Sequence, residues 1–118
     1  MNAPIYQYIK ETLKIAILSG CIMPGQELPS VRKLAEQFQV NPNTVKRATT
    51  ELCKTGLVTH QRGRPITVIS NIEQIGVSRQ KEAIALVQEC ICQLKNLNYQ
   101  EAEIVNLVSS VVEQARIV

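Results

Sequence analysis

Up to Gly56 the apolar residues of this chain recur every three or four positions, and directly after it they begin to alternate. That change of period constrains the fold most, because a run of helices must hand over to a β-hairpin within the first 70 residues. The helical part divides into three. Ile5, Ile9, Leu13, Ala16 and Ile17 follow Pro4, which suits a first turn, and Gly20 with Met23-Pro24-Gly25 ends that helix. Ser30 is a good N-cap for a short second helix, whose apolar face is Val31, Leu34, Ala35 and Phe38. Asn41 can cap the third, with Pro42 at the first helical position, where a missing N–H costs nothing, and Gly56 closes it.

On that third helix Val45, Ala48 and Leu52 gather on one face, and Asn43, Lys46, Arg47 and Thr50 gather opposite them. The outward face thus holds two cations and two hydrogen-bonding side chains, with no carboxylate. Past Gly56 the spacing predicts strands over Val58–Arg62 and Ile66–Ile69, joined by the tip Gly63-Arg64-Pro65, with Arg62 and Arg64 on either side of the glycine. The link between the second and third helices, Gln39 to Asn41, is as short as in a helix-turn-helix. Three helices and a hairpin in this order describe a winged helix. The expected class is α+β, mainly α.

Residues 71–118 differ in composition and read as a second domain after a first over residues 1–70. Ala83, Ile84, Leu86, Val87, Cys90, Ile91, Leu94 and Leu97 form a wide apolar arc on one helix, which the Asn96–Asn98 stretch ends. Ile104, Val105, Leu107, Val108, Val111, Val112 and Ala115 form another. Two such helices packed only on each other would leave much of both arcs wet. A second copy would bury them in a multi-helix bundle, so Ile84, Val87, Ile91, Leu94, Ile104, Leu107, Val108 and Val111 are the expected homodimer interface.

Composition removes whole classes of function. The 118 residues include no Asp and one His, which excludes a Ser-His-Asp triad, an Asp-held magnesium site and an EF-hand loop. His60 has no second His or Cys-x-x-Cys near it and reads as a surface strand residue. Cys21, Cys53, Cys90 and Cys92 match neither a disulfide framework nor a zinc pair, and read as reduced thiols. No catalytic residue, cofactor site or metal site is expected. Glu101 and Glu103 are expected as helix-start charges. With three Tyr, one Phe and no Trp, an aromatic platform for single strands is excluded as well. No apolar run is long enough to span a membrane, and the first residues lack the pattern of a signal peptide, so the expected location is the cytoplasm. Charge is uneven. Residues 1–70 carry nine Lys/Arg against four Glu, and the remainder four against six, which points the first half toward a polyanion.

The residues Leu28-Pro29-Ser30-Val31-Arg32-Lys33-Leu34-Ala35 and Val40-Asn41-Pro42-Asn43-Thr44-Val45 closely resemble the DNA-binding domain of the GntR family of bacterial transcription regulators. Pro24-Gly25-Gln26-Glu27, Glu51-Leu52, Gly56-Leu57 and Arg62-Gly63 fit the same pattern, so the resemblance runs from about Ile5 to Val68. The short two-helix tail looks like that of the YtrA-type subfamily, in which it serves dimerisation. The chain departs from the family at the wing tip, with Pro65, Ile66 and Thr67 where members often carry a second glycine and a Thr-aromatic pair. Pro42 also stands where some relatives have a base-reading arginine, which shifts that role to Asn43, Lys46 and Arg47. The resemblance implies DNA contact by Arg32.

The combined expectation is a transcriptional regulator of the repressor kind, not an enzyme, that binds a palindromic double-stranded DNA operator as a homodimer. Asn43, Lys46, Arg47 and Thr50 would enter the major groove, where Arg can fork onto guanine and Asn onto adenine. Arg32 and Thr44 would hold the backbone, and Arg62, Gly63 and Arg64 would form the wing contact. The tail is too short for a separate ligand domain, so any small-molecule effector would sit between subunits or at the tail–wing junction. The alternative is a winged-helix protein–protein adaptor with an incidental basic face.

Overall fold

A computed structural model describes residues 4–116 and arranges them as five helices and a two-stranded antiparallel sheet. In chain order these are α1 (Ile5–Leu18), α2 (Val31–Phe38), α3 (Pro42–Lys54), β1 (Val58–Thr59), β2 (Thr67–Val68), α4 (Ile72–Asn96) and α5 (Glu101–Ala115). The architecture is the expected one: a three-helix winged helix-turn-helix followed by two further helices. Of the two spans expected as domains, residues 1–3 and 117–118 lie outside the described residues. Two compact units are present, one running to Arg79 and one starting at Gln80, and α4 begins in the first and ends in the second.

The first unit forms around an aliphatic core. α1 supplies Ile9, Leu13 and Ile17, α2 supplies Leu34 and Ala35, and α3 supplies Val45, Ala48 and Leu52. These are the positions at three- and four-residue spacing, and burying each larger one stabilises by about 1.5–3 kcal/mol. Both short helices start as their caps dictate. Ser30 Oγ accepts from the Lys33 amide at 3.1 Å, and Asn41 Oδ1 accepts from the Asn43 amide at 2.8 Å with Pro42 at the first position. Pro4 sits just before α1 as its cap residue rather than inside the first turn.

The wing is shorter than the alternation suggests. Only Val58 and Thr59 pair, with Val68 and Thr67, so Arg62 and His60 lie in the loop and not on a strand. The reason is local. Arg64 N donates to Gln61 O at 3.0 Å, Gly63 takes a left-handed φ of 77°, and Pro65 has no N–H to offer a ladder. A further segment compensates. Glu27 bridges Thr67, Leu28 N donates to Ile66 O at 2.8 Å, and Val68 N donates to Gln26 O at 2.9 Å. From sequence, the Met23–Gly25 stretch announced only the end of α1.

α4 also starts earlier than its apolar arc, at Ile72 instead of near Ala83. Asn71 Oδ1 accepts from the Gln74 amide at 3.2 Å and opens the helix. Its first turns belong to the first unit, since Ile75 is buried in that core and Gln74 Nε2 donates to Gly56 O at 3.3 Å. The compact unit therefore continues nine residues past Ser70.

In the second unit α4 ends where Asn98 turns left-handed at φ 69° and Tyr99 N donates to Leu94 O at 3.1 Å. Glu103 is more than a solvated charge, because its Oε1 accepts from the Gln100 amide at 2.9 Å and caps α5. Glu101 lies 3.6 Å from Lys95. Among the described residues of this unit only Ile104 is buried, at 5% exposure. Ile91, Leu94 and Leu107 are half-buried, and Ile84, Val87, Val108 and Val111 are exposed.

Candidate nucleic-acid interface

The helix-turn-helix is made by α2, α3 and the joint between them. Gln39 adopts φ 56°, ψ 50°, and Val40 N donates to Ala35 O at 3.0 Å, which redirects the chain within three residues. With Val45, Ala48, Thr49 and Leu52 turned into the core, α3 must present its other side to solvent. Asn43, Lys46, Arg47 and Thr50 are all exposed there, and Thr44 is half-buried on the first turn, its N–H bonded to Asn41 O at 2.9 Å. The Thr50 hydroxyl donates to Lys46 O at 2.8 Å, so it faces outward as an acceptor.

The other expected residues are also exposed: Arg32 on α2, and Arg62, Gly63 and Arg64 at the wing tip. Among the described residues no ion pair engages Arg32, Lys46, Arg62 or Arg64, whereas Lys10 pairs with Glu11 and Lys54 with Glu51 at 3.0 Å. Glu51 is the only carboxylate on α3. The hydrogen bond from Lys54, helped by the nearby charges of Lys10 and Arg47, holds its carboxyl below the usual glutamate pKa. That carboxylate is thereby kept occupied by its neighbours.

An open groove of about 1020 Å³ runs between the N-terminal end of α2, α3 and the wing. It brings Lys46, Thr50, Gly63 and Arg64 onto one concave surface, together with Ser30, Glu27 and His60. Arg32, Asn43, Thr44, Arg47 and Arg62 do not line it. Arg47 instead leans the other way, toward α1, with its guanidinium carbon 4.0 Å above the Tyr6 ring.

The sequence reading missed Tyr6, which meets Arg47 across 41 positions, and put His60 on a strand, whereas β1 stops at Thr59 and His60 lines the groove. No local signal marks either; only the scarcity of aromatic residues could have drawn attention to Tyr6. Cys53 sits half-buried at the floor of the groove, where burial pushes its thiol pKa up.

This arrangement is a convex basic helix flanked by a basic loop, a shape that fits a duplex groove and its backbone. It contains no cluster of His, Cys, Asp or Glu able to hold a metal ion among the described residues. None of their helices is long and apolar enough to cross a membrane.

Comparison with known proteins places the chain among regulators. The model of bacterial regulatory proteins of the gntR family matches residues 5–68. The chain is 28% identical to the uncharacterised regulator YhcF of Bacillus subtilis, over 95% of this chain and 93% of that one. It is 41% identical to the transcriptional repressor YtrA of the same organism over 70 residues, 59% of this chain and 54% of YtrA. A GntR family transcriptional regulator from Listeria monocytogenes superposes with a TM-score of 0.85 at 28% identity, covering 92% of this chain and 96% of its own. The DNA-binding domain of AraR, crystallised with an operator, superposes with a TM-score of 0.56 at 31% identity, over 58% of this chain and 83% of that domain.

Proposed function

The chain belongs to the gntR family of bacterial regulatory proteins, and from that premise we propose that it is a cytoplasmic repressor that binds a two-fold symmetric operator as a homodimer. Its class, a DNA-binding transcriptional regulator, is that of the family; the sign, the symmetry and the assembly are the proposed part. One observation carries the reading. Arg32, Lys46, Arg62 and Arg64 are exposed around α3 and the wing with no ion pair engaging them among the described residues, which leaves their positive field free to act on a polyanion.

In the proposed complex α3 lies in the major groove, where Asn43, Lys46, Arg47 and Thr50 meet base edges. Arg32 and Thr44 hold phosphates, and the loop of Arg62, Gly63 and Arg64 follows the neighbouring backbone. Repression is supported by the likeness to YtrA, and operator binding by the likeness to the AraR domain.

The tail supports the homodimer. Ile84, Val87, Val108 and Val111 are 43–57% exposed in a single chain, an expense that a second copy would remove. Ile91, Leu94 and Leu107 would complete the interface, with Ile104 beneath it.

Selection of bound duplexes from a random pool tests the whole reading. The expected product is a palindrome whose half-sites lie about one or two helical turns apart. Enrichment of no sequence would leave a protein–protein adaptor instead. Single-residue variants then separate the roles. Arg47→Ala should cost about 1–3 kcal/mol on the selected site and flatten one base pair per half-site, while Arg32→Ala weakens selected and scrambled DNA alike.

A further inference from the structure

Arg47 leaves α3 on the side facing α1, and its guanidinium carbon lies 4.0 Å from the centroid of the Tyr6 ring. Nη2 of the same group donates to the Tyr6 hydroxyl at 3.5 Å. Tyr6 itself is half-buried and packs against the aliphatic core, so the ring is a fixed platform, whereas Arg47 is exposed. Glu51 stands one turn away on α3, the spacing at which arginine usually finds a carboxylate. It is hydrogen-bonded instead to Lys54 at 3.0 Å, and among the described residues no ion pair joins it to Arg47.

An arginine loose in water must give up rotamer freedom when it binds, and a ring that already holds the guanidinium removes part of that cost. Stacking occupies one face of the group and the hydroxyl takes one N–H. The other donors remain at the rim, where a base edge can meet them.

Resting on the assignment of α3 to the major groove, we propose that Tyr6 is a positioning residue for DNA reading, which orders the Arg47 side chain from outside the helix-turn-helix. Discrimination between base pairs then depends on a residue of α1 that touches no DNA itself. The pair works as one unit, with the ring setting the guanidinium and the guanidinium reading.

The test measures dissociation constants of the full chain for its selected operator, for single-base variants and for a scrambled duplex. Tyr6→Leu should reduce discrimination about tenfold at the base pair that Arg47→Ala flattens, with scrambled-duplex affinity within twofold of the parent. Tyr6→Phe, which keeps the ring, should restore discrimination to within about threefold. Adding Tyr6→Leu to Arg47→Ala should change discrimination no further. If Tyr6→Leu lowers the melting temperature sharply, Tyr6→Met supplies the same comparison with the packing volume retained. Unchanged discrimination in Tyr6→Leu or Tyr6→Met, an equal loss on all duplexes, or an Arg47→Ala variant that reads every base pair normally overturns the proposal and leaves the regulator intact. A parent protein that does not distinguish operator from scrambled DNA overturns the groove assignment and this proposal together.

Discussion

Leu28 donates its backbone N–H to the carbonyl of Ile66 at 2.8 Å, tying the segment that enters α2 to the strand leaving the wing tip. Both side chains are buried in the core, so the base of the wing is held by packing as well as by its short ladder. Leu28→Ala should lower unfolding free energy by about 2–5 kcal/mol, read from the denaturant midpoint. Hydrogen exchange at the Val68 amide, which bonds to Gln26 across the same seam, should quicken with it. A variant with an unaltered midpoint would mean that the seam contributes nothing.

Where the chain is cut should matter in two distinct ways. Ending it after Ser70 removes Ile75 and Gln74 from the first unit, and ending it after Arg79 keeps both. The longer form should be more stable by about 1.5–3 kcal/mol, the worth of one buried isoleucine. Both should sediment as monomers and bind the operator roughly 10²–10⁴-fold more weakly than the full chain. A dimer of either form would move the assembly surface out of the tail.

Val111 and Ile104 on α5 differ in a single chain, one 54% exposed and the other 5%. Val111→Glu should leave the helical signal in circular dichroism intact while converting the dimer to monomer, since a buried unpaired carboxylate at an interface is strongly unfavourable. Ile104→Ala should destabilise the tail itself by about 2–5 kcal/mol. Sedimentation velocity and thermal melts, read together, distinguish the two outcomes.

Operator affinity should fall steeply with salt. Two subunits each presenting Arg32, Lys46, Arg62 and Arg64 can neutralise about six phosphates, which gives a slope near −5 in log K against log salt. A slope shallower than about −2 would remove the polyanion from the account.

Burial raises the pKa of the Cys53 thiol, which lowers its thiolate fraction at any pH below the new value. At pH 8 a disulfide reagent should label Cys53 more slowly than the exposed Cys21, and denaturant should erase the difference. Equal rates in the folded protein would show that the groove floor is open to reagent.

Much of this molecule was legible because its signals are local. Ser30 and Asn41 are caps whose partners lie two or three residues away, and the spacing of Val45, Ala48 and Leu52 fixes which face of α3 is left for solvent. What stayed hidden depends on residues far apart in sequence. The seam of Gln26 and Leu28 with the wing, the burial of Ile75 and the Arg47–Tyr6 stack each join distant segments, and no period or cap announces them. The strands were overestimated because β-branched residues favour extension even where Pro65 and the turn at Gln61 prevent pairing. The start of α4 was missed because Gly76 dilutes its pattern, although Asn71 caps it.

The joint at Gln39 has a consequence for how the domain assembles. Its left-handed backbone costs a residue with a β-carbon on the order of 1–2 kcal/mol. The three-residue corner therefore has little tendency to form in the unfolded chain, and its geometry is imposed when the two helices dock. Cooperativity follows, since neither α2 nor α3 can reach its final orientation ahead of the other. The angle at which α3 is offered to a partner is thus a property of the whole packed unit, lost when it melts and recovered only when it refolds.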